Sequence, residues 1–135
     1  MKKIMSILVF CVIGMITCHA IAQPIAVYVA VRGNTGREAE LKTTMEEELA
    51  AINRVEIIQN KEDCHVYLDL SLVEQEPIRF YGLGISIAYK ITENLYSRPT
   101  SDVAQFGYEK MKDVCVQLVK EIDKGFLDPL KQPIE

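Results

Sequence analysis

The sequence has few histidines, the residue most often used as a zinc ligand and as a catalytic base. Of its two histidines, His19 lies in an amino-terminal apolar segment, which leaves His65 for any domain that follows. No C-x-x-C or H-x-x-x-H spacing is present, so a zinc site of the usual kind is not expected. The glycine spacings G-x-x-x-x-G-K-[ST] and G-x-G-x-x-G are absent as well, which argues against a nucleotide site. The sequence therefore predicts neither a bound metal nor a cofactor.

Long hydrophobic runs are also absent, apart from one at the amino terminus. Two lysines precede an apolar stretch over residues 4–16, and small side chains lie just before Gln23. This layout is typical of a secretory signal peptide, and the apolar stretch is shorter than the roughly 20 residues of a bilayer-spanning helix. We therefore predict a signal peptide over residues 1–22, cleavage before Gln23, and no membrane span in the mature chain.

Cys18 offers an alternative fate for the amino terminus. Residues 15–18 are similar to a bacterial lipobox, in which the cysteine at the cleavage point is lipidated. The usual leucine at its start and the small residue before the cysteine are missing, so cleavage before Gln23 is the favoured interpretation. Either route predicts an exported protein, periplasmic or secreted, with lipidation at Cys18 as the alternative.

The predicted mature chain is acidic and short. Without Lys2 and Lys3 the 15 basic residues become 13, against 19 acidic ones, a net charge of −6. Nucleic acid and anionic membrane surfaces both reward clustered Lys and Arg, so neither is expected as a partner. The length is enough for one domain with one core.

Cys64 and Cys115 are the cysteines of the predicted mature chain. An exported domain with one cysteine pair favours a disulfide, which over this spacing is worth roughly 4 kcal/mol in the chain-entropy picture. The alternative is two separate buried thiols that behave as small hydrophobic side chains. Because Cys64 falls on the predicted core face of a strand and Cys115 in the apolar stripe of a helix, the pattern tips the prediction toward a disulfide.

Alternating apolar residues predict four strands. They cover residues 25–31, 55–58, 64–72 and 81–91, and the two long neighbouring strands each have an apolar face and a face of small or polar residues. The polar residues 60–63 predict a turn before the third strand.

Two helices are predicted from capping residues and helical spacing. Thr35 and Glu38 have the spacing of a capping box, and apolar residues at helical intervals continue to about Asn53. A second amphipathic stripe follows Asp102, a candidate cap, and runs to Gly125, where the helix is expected to stop.

The predicted order of elements is β-α-β-β-β-α, with a loop over residues 92–101 and an irregular tail from about residue 126. Each helix has one apolar stripe, so the simplest way to bury both is a two-layer α+β sandwich. Its sheet would be mixed and four-stranded, with both helices on one face and a parallel first crossover. We expect residues 23–135 to form this single domain.

The second face of the predicted sheet carries small residues and two tyrosines. No third helix is available to cover it, so it could accept a protein partner or a second copy of the chain. The alternative is an ordinary solvated sheet face. The candidate partner-binding residues are Tyr28, Tyr67, Gly82, Gly84 and Ser86.

Two further groups of residues carry side chains with possible chemical roles. His65, Asp69 and Ser71 share one strand face, but residues two apart on a strand stand roughly 7 Å from each other and form a row, not a catalytic relay. We therefore expect no catalytic residues. Arg32 and Arg37 flank the turn before the first helix and could bind an anion at its amino terminus, although a tight turn and a helix cap explain the same residues.

The order of elements and residues 63–68, Asp-Cys-His-Val-Tyr-Leu, resemble small bacterial envelope domains. These are the amino-terminal domain of the translocation protein TolB and related domains of the CsgG and LpoB families, which often carry Ala-Asp-Tyr before a strand. The resemblance covers most of residues 25–126 and implies a non-catalytic domain that binds other envelope proteins. It transfers no individual binding residue.

The leading hypothesis is therefore an exported accessory module of the cell envelope. It would bind an envelope protein, or a second copy of itself as a homodimer, through the small-residue face of its sheet. The competing hypothesis is a small exported enzyme, or an anion-binding or ligand-binding protein, that uses the loop from Arg32 to Arg37 or His65.

Overall fold

A five-stranded sheet lies under two long helices in the computed structural model, which describes residues 23–92 and 95–132. The predicted signal peptide over residues 1–22 and the lipidation alternative at Cys18 lie outside these residues. The helices and strands, in chain order, are β1 Ile25–Gly33, α1 Glu38–Ala50, β2 Val55–Ile57, β3 Val66–Gln75, β4 Phe80–Thr92, β5 Leu95–Gly107, α2 Met111–Ile122 and α3 Asp128–Lys131.

The sheet is mixed, with the strand order β2-β1-β3-β4-β5. β1 pairs in parallel with both β2 and β3, whereas β3 with β4 and β4 with β5 form antiparallel pairs. The α+β class, the mixed sheet and the parallel first crossover are therefore confirmed. The predicted number of strands is wrong, because the sheet has a fifth strand.

The fifth strand occupies the segment predicted as a loop and the start of the predicted second helix. Val103 and Ala104 pair with Gly84 and Leu83 of β4. Phe106 is buried while Val103 is exposed, which is the period of a strand and not of a helix. Proline, which suggested the loop, is tolerated on the edge strand that β5 forms.

The second helix consequently begins later than expected. A short 3₁₀ turn, Tyr108–Lys110, follows β5, and α2 starts at Met111, so Asp102 caps no helix. The helix also does not end at Gly125 as predicted. A π-helical turn, Asp123–Leu127, and α3 continue the chain where an irregular tail was expected, and Leu127 is fully buried.

The core lies between the sheet and both helices. Buried residues from the two helices and from one face of β1, β3 and β4 form one hydrophobic cluster, which confirms that both helices cover the same face. The core-facing residues of β3 and β4 are the ones that alternation predicted. They are Val66, Leu68, Leu70, Leu72, Tyr81, Leu83, Ile85 and Ile87.

The turn before α1 is held by the residues of the predicted capping box. The Thr35 amide donates to Glu38 Oε1 over 2.6 Å, while Thr35 Oγ1 accepts from the Arg37 amide at 3.1 Å, one residue earlier than the ideal box. The hydrogen bond from the Thr35 backbone to the Glu38 carboxylate is the main cause that lowers the pKa of Glu38. Gly36 has a φ of 81°, the left-handed conformation that glycine adopts without steric cost.

Cys64 and Cys115 are free thiols in the structure, so the favoured disulfide is not formed. Both are fully buried, but Cys115 belongs to the main hydrophobic cluster and Cys64 does not. The physical reason is that Cys64 lies before β3, directly after the 3₁₀ turn Lys61–Asp63, and outside the hydrophobic cluster that contains Cys115. The arrangement is that of the alternative, two separate buried thiols.

Candidate functional site

The sheet surface opposite the helices, here called the outer face, contains all five predicted partner-binding residues. The strand register places Tyr28 beside Tyr67, and Ser71 beside Gly84, which in turn lies beside Val103. The outer face consists of Tyr28, Ala30, Arg32, Tyr67, Asp69, Ser71, Val73, Gly82, Gly84, Ser86, Val103 and Gln105.

The two tyrosines form one stacked pair at the β1 and β3 side of this face. Their ring centroids are 5.6 Å apart and the rings are nearly parallel, at 10°. Lys61 Nζ lies 4.6 Å from the Tyr67 centroid and Lys42 Nζ 5.9 Å from that of Tyr28. Because lysines of the same chain already cover these rings, the tyrosine pair is less open than the sequence suggested.

Arg32 lies next along the outer face and is held by Asp69. Its Nε donates to Asp69 Oδ1 at 3.1 Å and its Nη2 to Oδ2 at 2.6 Å, a bidentate pair. The Asp69 side chain is only 10% exposed, whereas that of Arg32 is 72% exposed. The guanidinium therefore neutralises a nearly buried carboxylate on the outer face.

Arg37, the other predicted anion ligand, lies on the helix side of the sheet. It donates through Nε and Nη2 to the Glu40 carboxylate at 2.8 and 2.7 Å, and through Nη1 to the Tyr108 carbonyl at 2.7 Å. Its guanidinium also lies 5.5 Å from the centroid of the buried Tyr81 ring. The structure thus does not bring Arg32 and Arg37 together, and each is already paired with a carboxylate.

The far end of the outer face, at the β3–β4 turn, carries exposed apolar side chains that sequence reasoning missed. Val103 is 71% exposed, Val73 53% and Phe80 42%. Gly82 and Gly84 lie among them and have no side chains of their own, and the Gln75 side chain reaches toward Gly82. Alternation could have identified Val73 and Phe80, but Val103 required knowledge of β5.

The glycines here are open rather than crowded. A Cβ built on Gly84 would meet nothing nearer than Ser71 Cβ at 3.6 Å, and one on Gly82 nothing nearer than Gln75 Nε2 at 3.4 Å. Substitution at Gly84 therefore requires only ordinary van der Waals contacts. We call the surface of Val73, Phe80, Gly82, Gly84 and Val103 the apolar patch.

His65 lies at the other end of the sheet and has structural partners. Its Nδ1 accepts a hydrogen bond from the Ala26 amide at 3.0 Å, and its own amide donates to the Ala26 carbonyl at 2.8 Å. Asp69 is engaged by Arg32. The imidazole and the carboxylate are thus committed to separate contacts and form no relay with each other.

A cleft of about 700 Å³ opens beside His65. It lies at the end of the sheet where β1, β2 and β3 begin and β4 approaches its end. Its walls include Ile25, Arg54, Tyr89 and Lys90, together with the end of α3. The competing hypothesis named His65, but sequence reasoning did not anticipate the cleft or Arg54.

The fold defined here has counterparts among solved protein structures, although no protein-family model matches the chain and no curated protein matches its sequence. It is similar to TolB from Acinetobacter baumannii, with a TM-score of 0.57 and 8% identity over 76% of this chain and 28% of TolB. Lipoprotein GNA1162 from Neisseria meningitidis gives a TM-score of 0.48 and 8% identity, over 76% of this chain and 99% of the lipoprotein.

These likenesses concern the fold alone, because the identities are so low. The predicted fold-level resemblance to small bacterial envelope domains is confirmed, with TolB the structure that carries it. This chain spans only 28% of the length of TolB. None of the helices in the described ranges 23–92 and 95–132 has the length and hydropathy that a membrane crossing requires.

Proposed function

We propose that this chain is an exported, non-catalytic accessory module of the bacterial cell envelope that binds a protein partner through the outer face of its sheet. Export depends on the predicted signal peptide over residues 1–22, which places the mature chain in the periplasm or outside the cell. The fold-level likeness to TolB supports an envelope setting.

One observation carries the proposed binding function, namely the apolar patch. Valines exposed by 71% and 53% flank two glycines on the outer face, and both long helices pack on the opposite face. Exposed apolar surface favours close contact with another protein, because burial of such surface drives association.

The patch refines the predicted contact residues. Gly82 and Gly84 lie at its centre, Ser86 borders it in β4, and the lysine-covered pair of Tyr28 and Tyr67 lies toward β1. We therefore place the centre of the interface near Gly84 and the tyrosines at its periphery. The polar rim and apolar centre that result are typical of protein interfaces.

The edge of β5 is a poorer docking surface than the face. Asp102 Oδ1 accepts a hydrogen bond from the Val103 amide at 2.7 Å, so this backbone donor is already used within the strand. Proline within β5 also lacks an amide donor. Strand addition at this edge is thus disfavoured, which supports binding through the face.

The decisive variant is Gly84→Arg, which the open space at this residue should accommodate without unfolding. Ala50→Arg, on the exposed end of α1, is a matched control that adds the same side chain elsewhere. We expect sedimentation velocity to show self-association, or site-specific cross-linking in an envelope fraction to capture one defined protein. Gly84→Arg should abolish that complex and Ala50→Arg should preserve it.

Circular dichroism and thermal unfolding of both variants establish that they are folded. Equal complex formation by Gly84→Arg, Val103→Arg and Ala50→Arg would refute binding through the apolar patch. Mass spectrometry of the amino terminus in the same preparation tests export, because cleavage before Gln23, lipidation at Cys18 and an intact terminus give different masses.

A further inference from the structure

The cleft beside His65 combines apolar walls with an uncompensated positive charge. Pro24, Ile25, Tyr89 and Leu130 contribute apolar surface, and the cleft volume of about 700 Å³ is within the range of small-molecule sites. It lies at the opposite end of the sheet from the apolar patch, so it is independent of the proposed protein interface.

Arg54 is the unusual residue of this cleft. Its Nη1 donates to the Lys131 carbonyl at 2.6 Å and its Nη2 to the Gln23 carbonyl at 3.3 Å. Within the described part of the chain it forms no ion pair with a carboxylate, and its buried Nε has no hydrogen-bond partner. A partly buried guanidinium without a counter-charge is costly unless something supplies one.

The backbone at Arg54 also holds an uncommon conformation. Its φ is 66°, in the left-handed region, and its carbonyl accepts from the Ile25 amide at 2.7 Å at the start of β1. Non-glycine residues seldom adopt this region, and they persist there when the surrounding structure requires it. The fold thus holds the Arg54 guanidinium in the space between the start of β1 and the end of α3.

Two neighbouring groups add donors to the same lining. Lys90 Nζ donates to the Glu62 carbonyl, a neutral partner, and forms no ion pair with the other residues that the structure describes. Because His65 Nδ1 accepts from the Ala26 amide, its Nε2 is the donor of the neutral ring. Lys131 differs, since Asp123 and Asp128 bind its Nζ at 2.5 and 2.9 Å.

We propose that this cleft binds a small carboxylate with an apolar body, its carboxylate beside Arg54 and Lys90 and its apolar part against Ile25, Tyr89 and Leu130. Among residues 23–92 and 95–132, no acidic side chain lines the cleft, although the whole chain is acidic. An anion would therefore find a local positive site in a protein whose overall charge repels it. The apolar walls favour a carboxylate with a hydrocarbon portion over a compact, fully polar anion such as phosphate.

Octanoate and octanamide are suitable probes, because they share a hydrocarbon chain and differ in charge. Titration of the purified, isotope-labelled protein should give saturable amide shifts near Ile25, Tyr89 and Lys90 with octanoate. We expect octanamide and inorganic phosphate each to bind at least roughly tenfold more weakly than octanoate. A tenfold ratio of affinities corresponds to about 1.4 kcal/mol of binding free energy.

Arg54→Gln and Lys90→Gln should each weaken octanoate binding, the first by roughly tenfold and the second by less. Arg79→Gln is the matched control, because Arg79 also has a positive φ, 56°, but stands at the β3–β4 turn and not at the cleft. If Arg54→Gln fails to fold, Lys90→Gln alone decides the matter. Equal affinity for octanoate and octanamide, absence of saturable shifts, or shifts centred on the apolar patch would overturn the proposal.

Discussion

The two faces of β3 show how one strand divides stability from recognition. Leu68, Leu70 and Leu72 point into the core and are almost completely buried, while Ser71 and Val73 alternate with them on the outer face. Removal of a core-side leucine leaves a cavity, whereas a change on the outer side meets solvent or a partner. The comparison implies that changes on the first face should cost stability and changes on the second should cost binding.

The largest expected effect is at the core. Leu70→Ala should lower the free energy of unfolding by about 2–5 kcal/mol, because the fully buried leucine leaves a cavity. Urea denaturation measures the change. Ser71→Ala, one residue along the same strand, is the control and should change the value by about 0.5 kcal/mol or less. Equal losses for the two variants would contradict the division between the faces.

A smaller effect is expected where the outer face has a nearly buried charge. Arg32→Ala should destabilise more than Asp69→Ala, because it leaves a carboxylate that is only 10% exposed without its guanidinium. Since Arg32 is largely exposed and screened by solvent, we expect the loss to be about 1 kcal/mol. Urea unfolding of both variants at low and high salt checks this order. A larger loss of stability for Asp69→Ala would contradict the prediction.

The alkaline side of the pH–stability profile provides a third test. The Tyr108 hydroxyl donates to Glu74, and this hydrogen bond raises the pKa of Tyr108 to about 12. Since the folded-state pKa exceeds the ordinary value near 10, the contribution is fully present below about pH 10 and is lost as pH rises toward about 12. As the pH rises above about 10, the wild-type protein should lose more of its free energy of unfolding than Tyr108→Phe does. Urea unfolding at each pH measures this difference.

The smallest expected change concerns the buried thiols. Burial raises the pKa of Cys64, and raises that of Cys115 to about 11, so both should react slowly with a thiol reagent until the protein is unfolded. Reductant should leave the free energy of unfolding unchanged. A loss of roughly 4 kcal/mol on reduction would instead reveal the disulfide that the sequence favoured.

Local patterns predicted the elements whose signals lie within one stretch of chain. The alternation around Leu68 and Leu83 identified β3 and β4, and Thr35 with Glu38 located the start of α1. β5 was missed because apolar residues such as Ala104 and Tyr108 also fit a helical spacing, and only pairing with β4 decides between the two. Secondary structure that depends on a distant partner is not specified by spacing alone.

The candidate sites were predicted less completely than the fold, for a related reason. Gly82 and Gly84 were proposed as contact residues from the pattern of β4 alone, but the patch around them includes Val103 from another strand. Arg54 gives no sequence signal, because the cleft joins residues far apart in the chain. Contacts of this kind follow from tertiary structure.

Asp102 affects the tendency of this chain to aggregate at high concentration. A sheet that ends in an open strand can recruit further chains and extend into a fibril, in which each newcomer hydrogen-bonds to the last. By occupying the amide of Val103, Asp102 removes one rung from that ladder and adds a negative charge beside it. The chain thus keeps an exposed apolar surface for recognition, while the neighbouring edge of β5 resists the addition of strands from other copies.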